Sequence, residues 1–176
     1  MAPRILINGS KGRMGQALLA AAPDLGLKVV AALDAGDDLA AALPGCDVVV
    51  DFSSPAATAN VLKLTRARRK AVVIGTTGHN EAQKKSLRRL AAKVPCVWAG
   101  NFSVGVNLLF ALVDRAAGIL GPDYDAEVIE MHHRFKKDAP SGTAERLLEV
   151  ILTQRRLGRK ALRHGRAGIK IGRAHV

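Results

Sequence analysis

A doubly wound α/β sheet, mostly parallel and covered by helices on both faces, is the architecture this sequence predicts. Three observations lead there. Short runs rich in Val and Ile recur through the first hundred residues, separated by segments with helical spacing. A glycine triplet, Gly9, Gly12 and Gly15, follows the first run and opens the first helical segment. An acid, Asp34, closes the second run, 19 residues beyond Gly15. In a strand–turn–helix unit such glycines allow a sharp turn and let the backbone approach a pyrophosphate at the helix start. An acid at the end of the next strand can accept bonds from a ribose diol. Together they predict a Rossmann-type domain that holds a dinucleotide, although glycine turns also serve to pack a helix on a strand and Asp34 could be an ordinary turn acid.

Arg4–Asn8 (RILIN) is a short apolar run suited to a buried strand, and the helix after it carries Met14, Leu18, Ala21 and Leu25 on one face. Residues 27–33 (LKVVAAL) form the second strand and residues 46–51 (CDVVVD) the third. Ser54 and Pro55 then offer a cap and a first-turn proline for a helix. Ala71–Ile74 is the fourth strand, closed by GTTG, with Asn80 placed to cap the next helix. Residues 94–99 (VPCVWA) make the fifth strand and lead into Asn101, Phe102 and Ser103. The character then changes. Val104–Leu120 reads as a long apolar helix, residues 125–132 alternate partly, and Leu147, Leu148, Ile151 and Leu152 follow helical spacing. The expected domains are residues 1–103 for the nucleotide, residues 104–158 as the start of a substrate domain, and residues 159–176 as a basic tail, disordered or non-native.

The formal net charge of +12 raises the question of nucleic acid. Eight cations and no acid follow Glu149, so the excess sits mainly in that tail, and aromatic residues make up only 3% of the chain. No nucleic-acid role is expected. No apolar run looks long enough to span a bilayer, and MAPRILINGS lacks a signal-type apolar core, so a cytoplasmic protein without a membrane partner is expected. Cys46 and Cys96 lie in or beside strand runs without metal-ligand spacing and read as buried free thiols. No metal site is expected.

Residues 130–144, EMHHRFKKDAPSGTA, are too polar for core and lie between an alternating segment and a helical one. His132 titrates in the range useful for proton transfer, and Lys136 can donate a proton or stabilise negative charge. Ser141, Gly142 and Thr143 open a helix whose backbone N–H groups can hold a carboxylate. From the residues alone, His132 reads equally as a surface histidine, Lys136 and Lys137 as solvated cations, and Ser141 as a simple cap.

The run HHRFKKDAPSGTA resembles the signature of the dihydrodipicolinate reductase family. GSKGRMG near the start, DFSSP at 51–55, GTTG at 75–78 and NFSVGVN at 101–107 extend the resemblance, in family order, over most of residues 4–144. It implies reduction of 4-hydroxy-tetrahydrodipicolinate to tetrahydrodipicolinate with NADH or NADPH, in the diaminopimelate route to lysine. It implies His132 as acid/base, Lys136 as proton donor, and His133, Gly142 and Thr143 as contacts to a small dicarboxylate substrate. Gly9, Ser10, Lys11, Gly12, Arg13, Met14, Gly75, Thr76, Thr77, Gly100, Asn101, Phe102 and Ser103 map to cofactor contacts, with Asp34 as the ribose acid. Arg134 reads equally as a substrate contact or a packing cation. NADH is favoured over NADPH because a 2′-phosphate would be repelled by Asp34 and no Arg follows it, although Lys11 and Arg13 could compensate.

Two departures stand out. Asp51 follows Asp34 by only 17 positions, which resembles a short form with a trimmed sheet edge. The family continues beyond this chain's last residue into the mixed sheet through which it forms homotetramers, so a C-terminally truncated form is expected, and the terminal IGRAHV resembles one reading frame of a sequencing adapter. Two other readings stand beside the reductase. One is a catalytically silent dinucleotide-binding fragment. The other is a different Rossmann oxidoreductase, such as a semialdehyde dehydrogenase, which would need a nucleophilic cysteine.

Overall fold

The computed structural model describes residues 2–134, 136, 138–165 and 168–169. The chain divides into two compact units, Met1–Gly100 and Asn101–Val176.

In the first unit five strands form one parallel sheet: β1 (Arg4–Asn8), β2 (Lys28–Leu33), β3 (Val48–Asp51), β4 (Ala71–Ile74) and β5 (Cys96–Trp98), in the order β2-β1-β3-β4-β5. The connections run through α1 (Arg13–Ala21), α2 (Leu39–Ala42), α3 (Thr58–Ala67) and α4 (Glu81–Ala91). This is the doubly wound sheet the apolar runs predict. Because side chains alternate across a strand, β1 sends Leu6 to one face and Ile5 and Ile7 to the other. Leu6 joins Val49, Val72, Ile74, Val61 and Leu62 in the larger core, whereas Ile5 and Ile7 pack with Ala22 and Leu18. Each fully buried Leu or Ile contributes roughly 1.5–3 kcal/mol relative to exposure. The winding direction reverses between β1 and β3, whose last residues, Asn8 and Asp51, are register partners. In sheets of this kind ligands bind beyond the strand ends at such a reversal.

Several boundaries differ from expectation. β3 begins at Val48 because residues 43–45 close a 3₁₀ turn in which the Cys46 N–H donates to the Leu43 carbonyl at 3.2 Å. The helix after β3 begins at Thr58, not at the Ser54–Pro55 pair. Ser54 serves instead as the start of a turn, its carbonyl accepting from the Ala57 N–H at 3.0 Å. On α1 the buried residues are Gly15 and, just past the helix end, Ala22, while Met14 and Leu25 are exposed. The close seat of Gly15 on the glycine turn fixes the helix rotation and so chooses that face. Asn80 caps α4 as expected, in a reciprocal capping box with Gln83.

The second unit holds α5 (Val104–Leu120), capped by Ser103, and α6 (Gly142–Gln154), capped by Ser141. The two helices pack together, and the Gln154 side-chain amide donates to Asp114 Oδ1 at 2.7 Å. Residues 125–132 do not form a strand: alternation alone is insufficient without a ladder partner, and Ile129 and Met131 are exposed. Two-residue strands β6 (Asp138–Ala139) and β7 (Gly168–Ile169) pair antiparallel. A 3₁₀ turn occupies Arg159–Ala161 in the basic tail, and the terminal IGRAHV lies outside the described residues. One expectation needs correction. Val104–Asp123 is 20 residues long with mean hydropathy 1.5, sufficient by length and composition to cross a membrane. Asp114 and Arg115 stand at its middle, where charge in hydrocarbon is costly.

Candidate active site

The glycine turn is a tightly interlocked structure. Gly9 has φ +84°, a conformation that side chains disfavour, and a Cβ there would lie 2.5 Å from the Phe52 carbonyl oxygen. A Cβ on Gly15 would lie 2.2 Å from the Gly9 carbonyl oxygen. Glycine is thus required at both ends of the triplet by backbone approach. The N–H groups of Gly9 and Ser10 both donate to the Leu33 carbonyl at 2.9 Å, which ties the turn to the end of β2. Gly12 stands at the N-cap of α1 and supplies no side chain to the first-turn N–H groups. Arg13 and Met14 lie exposed in that first turn, and Lys11 is exposed just before it.

Asp34 stands beside this turn. Its Oδ2 accepts from the Lys11 N–H at 2.8 Å and its Oδ1 from the Ala35 N–H at 2.8 Å. Those backbone bonds, Ala35 first and Lys11 second, hold the carboxyl below its ordinary value. Asp34, Gly9, Gly12, Phe52 and Ser53 share the wall of an open cleft of about 340 Å³ at the β1/β3 reversal. Uncapped first-turn donors, a glycine cradle that any Cβ would fill and an ionised acid at the cleft wall fit the pyrophosphate and adenosine ribose of a dinucleotide. Thr76 is buried at the end of β4, Gly75 donates its N–H to the Asp51 carbonyl at 2.9 Å, and Thr77 is exposed with its methyl carbon 3.8 Å from a Cβ built on Gly100.

Asp51 is a further residue of the site, one not expected from the sequence. It is fully buried, and its carboxylate accepts from Asn8 Nδ2 at 2.7 Å, Ser53 Oγ at 2.6 Å and Thr76 Oγ1 at 2.9 Å. The available signal was an acid closing an otherwise apolar strand.

Asn101, Phe102 and Ser103 belong to the second unit. Asn101 Oδ1 accepts from the Ser103 N–H at 2.8 Å, and Phe102 is exposed. Farther along that unit, His132 Nε2 lies 2.6 Å from Glu130 Oε2. The other oxygen of Glu130 accepts from the Ser141 N–H at 2.8 Å, so one carboxylate grips both the imidazole and the start of α6. Burial pushes the Glu130 carboxyl up, but the bonds from His132 and Ser141 outweigh it, and the group sits below its ordinary value. Glu130 is the second residue that sequence reasoning missed. Lys136 donates its N–H to the His133 carbonyl at 3.1 Å. Gly142 and Thr143 are the first two residues of α6. Lys137 lies outside the described residues.

Both thiols are free, and burial pushes both above the ordinary cysteine value, the reverse of an activated nucleophile. Among the described residues no group of three His, Cys, Asp or Glu could hold a metal ion.

Comparison with known proteins agrees with this geometry. The family described as dihydrodipicolinate reductase, N-terminus, matches residues 3–102, and its C-terminal counterpart matches residues 105–175. A 4-hydroxy-tetrahydrodipicolinate reductase of Hahella chejuensis is 46% identical over 193 residues, covering 94% of this chain and 72% of the relative. Its namesake in Akkermansia muciniphila is 49% identical over 150 residues, with 84% and 60% covered. The chain thus spans between three-fifths and three-quarters of the length of these relatives. A solved structure, the dipicolinate-bound dihydrodipicolinate reductase of Paenisporosarcina sp. TG-14, superposes with a TM-score of 0.70 at 29% identity, covering 93% of this chain and 72% of that one. The fold, the glycine cradle and these matches converge: the chain belongs to the dihydrodipicolinate reductase family, as a Rossmann-type N-terminal domain followed by a C-terminal domain.

Proposed function

We propose that the chain carries the cofactor site and the proton-transfer residues for NAD(P)H-dependent reduction of 4-hydroxy-tetrahydrodipicolinate in diaminopimelate and lysine biosynthesis. Gly9 to Met14 and Asp34 hold the adenosine half of the dinucleotide, while Gly75 to Thr77 and Gly100 to Ser103 complete its contacts. The bound cofactor supplies the hydride. His132 and Lys136 hold the protons that balance the negative charge developing on the substrate. Glu130 fixes the orientation of the imidazole. The N–H groups of Gly142 and Thr143, which as first-turn donors have no carbonyl one turn below, receive a substrate carboxylate, with His133 beside them. The observation that carries the reading is the Glu130 bridge, which ties the His132 imidazole to the start of α6.

NADH is the favoured cofactor, since Asp34 and Asp37 both line the cleft and disfavour a 2′-phosphate. The substrate is a small dicarboxylate, without nucleic acid or membrane, in the cytoplasm, and the complete protein is a homotetramer. The functional division follows the sequence, with residues 1–103 for the cofactor, residues 104–158 as the start of the substrate domain and residues 159–176 as a basic tail, its first boundary lying three residues beyond the unit division at Gly100.

A nicotinamide-oxidation assay, with substrate generated by the preceding synthase, tests the reading. His132→Gln is expected to lower turnover by at least about 100-fold while leaving NADH affinity unchanged. Equal turnover in wild type and variant removes the catalytic role of His132. Tight NADH binding with no turnover in the wild-type chain selects the silent dinucleotide-binding fragment, a reading favoured by the solvent-exposed apolar face of α5.

A further inference from the structure

We propose that Asp51 is a positioning residue for the dinucleotide, through its buried bonds to Asn8, Ser53 and Thr76. The inference rests on the dinucleotide reading of the cleft and extends it to a residue that lies beneath the site.

The Asp51 carboxyl oxygens accept from three side chains, each of which turns a donor toward them. Asn8 closes β1, Ser53 follows β3 and Thr76 follows β4, so the donors come from the ends of three neighbouring strands. Each of those ends continues into a loop assigned to the cofactor or lining the cleft. Asp51 itself shows no exposed surface, so it acts through these neighbours. An apolar side chain could fill the same place without the desolvation cost of a buried polar group. What the carboxylate adds is direction, because it fixes which way each donor points.

The loops leave little slack to absorb a change at this point. A Cβ on Gly9 would meet the Phe52 carbonyl oxygen, and one on Gly75 would lie 2.1 Å from the Phe52 ring. Phe52 is the residue next to Asp51, so the β1 and β4 loops both rest on the segment that Asp51 begins. If the three bonds loosen, the glycine turn and the Gly75–Thr76 loop shift together.

The test is fluorescence titration of the full chain with NADH, at a temperature where circular dichroism shows each variant folded. Asp51→Asn keeps the volume but exchanges an acceptor for a donor, and is expected to weaken NADH binding about tenfold. Thr76→Val is expected to weaken it about threefold in the wild-type background and by less than about twofold in the Asp51→Asn background, where its partner is already lost. NADH affinity within about twofold of wild type in folded Asp51→Asn overturns the proposal, as does an equal cost of Thr76→Val in both backgrounds. Should Asp51→Asn not fold, Ser53→Ala, Thr76→Val and their double variant decide. Acting on one carboxylate, they give a combined effect that differs from the product of the single effects, and simple multiplication overturns the proposal. A wild-type chain that does not bind NADH removes the dinucleotide reading, and the role of Asp51 with it.

Discussion

Leu62 and Leu112 are both leucines on helices, one in each unit. Leu62 on α3 has no exposed surface, while Leu112 on α5 is 58% exposed. The contrast extends to the whole elements. α3 buries Thr58, Val61, Leu62 and Thr65 over 10 residues, whereas α5 buries none over 17. Both helices are apolar enough to pack, so composition does not separate them. The difference is the neighbour: α3 lies on a five-stranded parallel sheet, and the described part of the second unit offers α5 only the single helix α6 and two-residue strands. A hydrophobic stripe specifies a burial only when an opposing surface exists to receive it.

Paired leucine truncations would break that comparison most severely if it is wrong. Leu62→Ala is expected to cost about 2–5 kcal/mol in denaturant unfolding, and Leu112→Ala less than about 0.5 kcal/mol. Equal costs would mean that α5 packs in solution as tightly as α3. Gly15→Ala sharpens the account of the first unit, because its Cβ would meet backbone at 2.2 Å where no rotamer can relieve it. A loss of about 1–3 kcal/mol is expected, together with weaker NADH binding on titration.

The smallest expected effect concerns pH. His79 is buried, hydrogen-bonded to Thr58 Oγ1 at 2.9 Å and edge-on to Trp98, and burial lowers its value below the ordinary 6.5 despite the opposing field of Asp51. Below pH 6.5 the unfolded chain therefore takes up a proton that the folded chain resists. The stability owed to the neutral ring is complete above that pH and is lost as pH falls through the folded value. Thermal midpoints measured on both sides of pH 6.5 should drop on the acid side, and His79→Gln should flatten that drop. A midpoint with the same acid sensitivity in the variant would assign the loss elsewhere.

The parts legible in the sequence were those whose cause is local. Gly9, Gly12 and Gly15 revealed the nucleotide turn because their spacing records backbone contacts within a few residues of one another. Asn80 revealed the start of α4 because a capping box is closed within four residues. Asp51 and Glu130 escaped notice because each has one near partner, two positions away, and is completed by distant ones: Asn8 lies 43 positions from Asp51, and Ser141 lies 11 from Glu130. Residues 125–132 alternate in sequence without forming a strand for a related reason. Their alternation is a property of the chain, but a strand is a property of a pair. Of the face expected on α1 only Leu18 packs on the core, because a contact of Gly15, rather than the apolar count, sets the rotation of the helix.

The Phe52 ring occupies the volume that any side chain at position 75 would need. It also lines the nucleotide cleft, so its options on displacement are few. A single methyl group added by Gly75→Ala would push the aromatic ring out of its seat, and a ring displaced toward the cleft would stand in it. Such a chain would carry its own competitor for the ligand, tethered and permanently present.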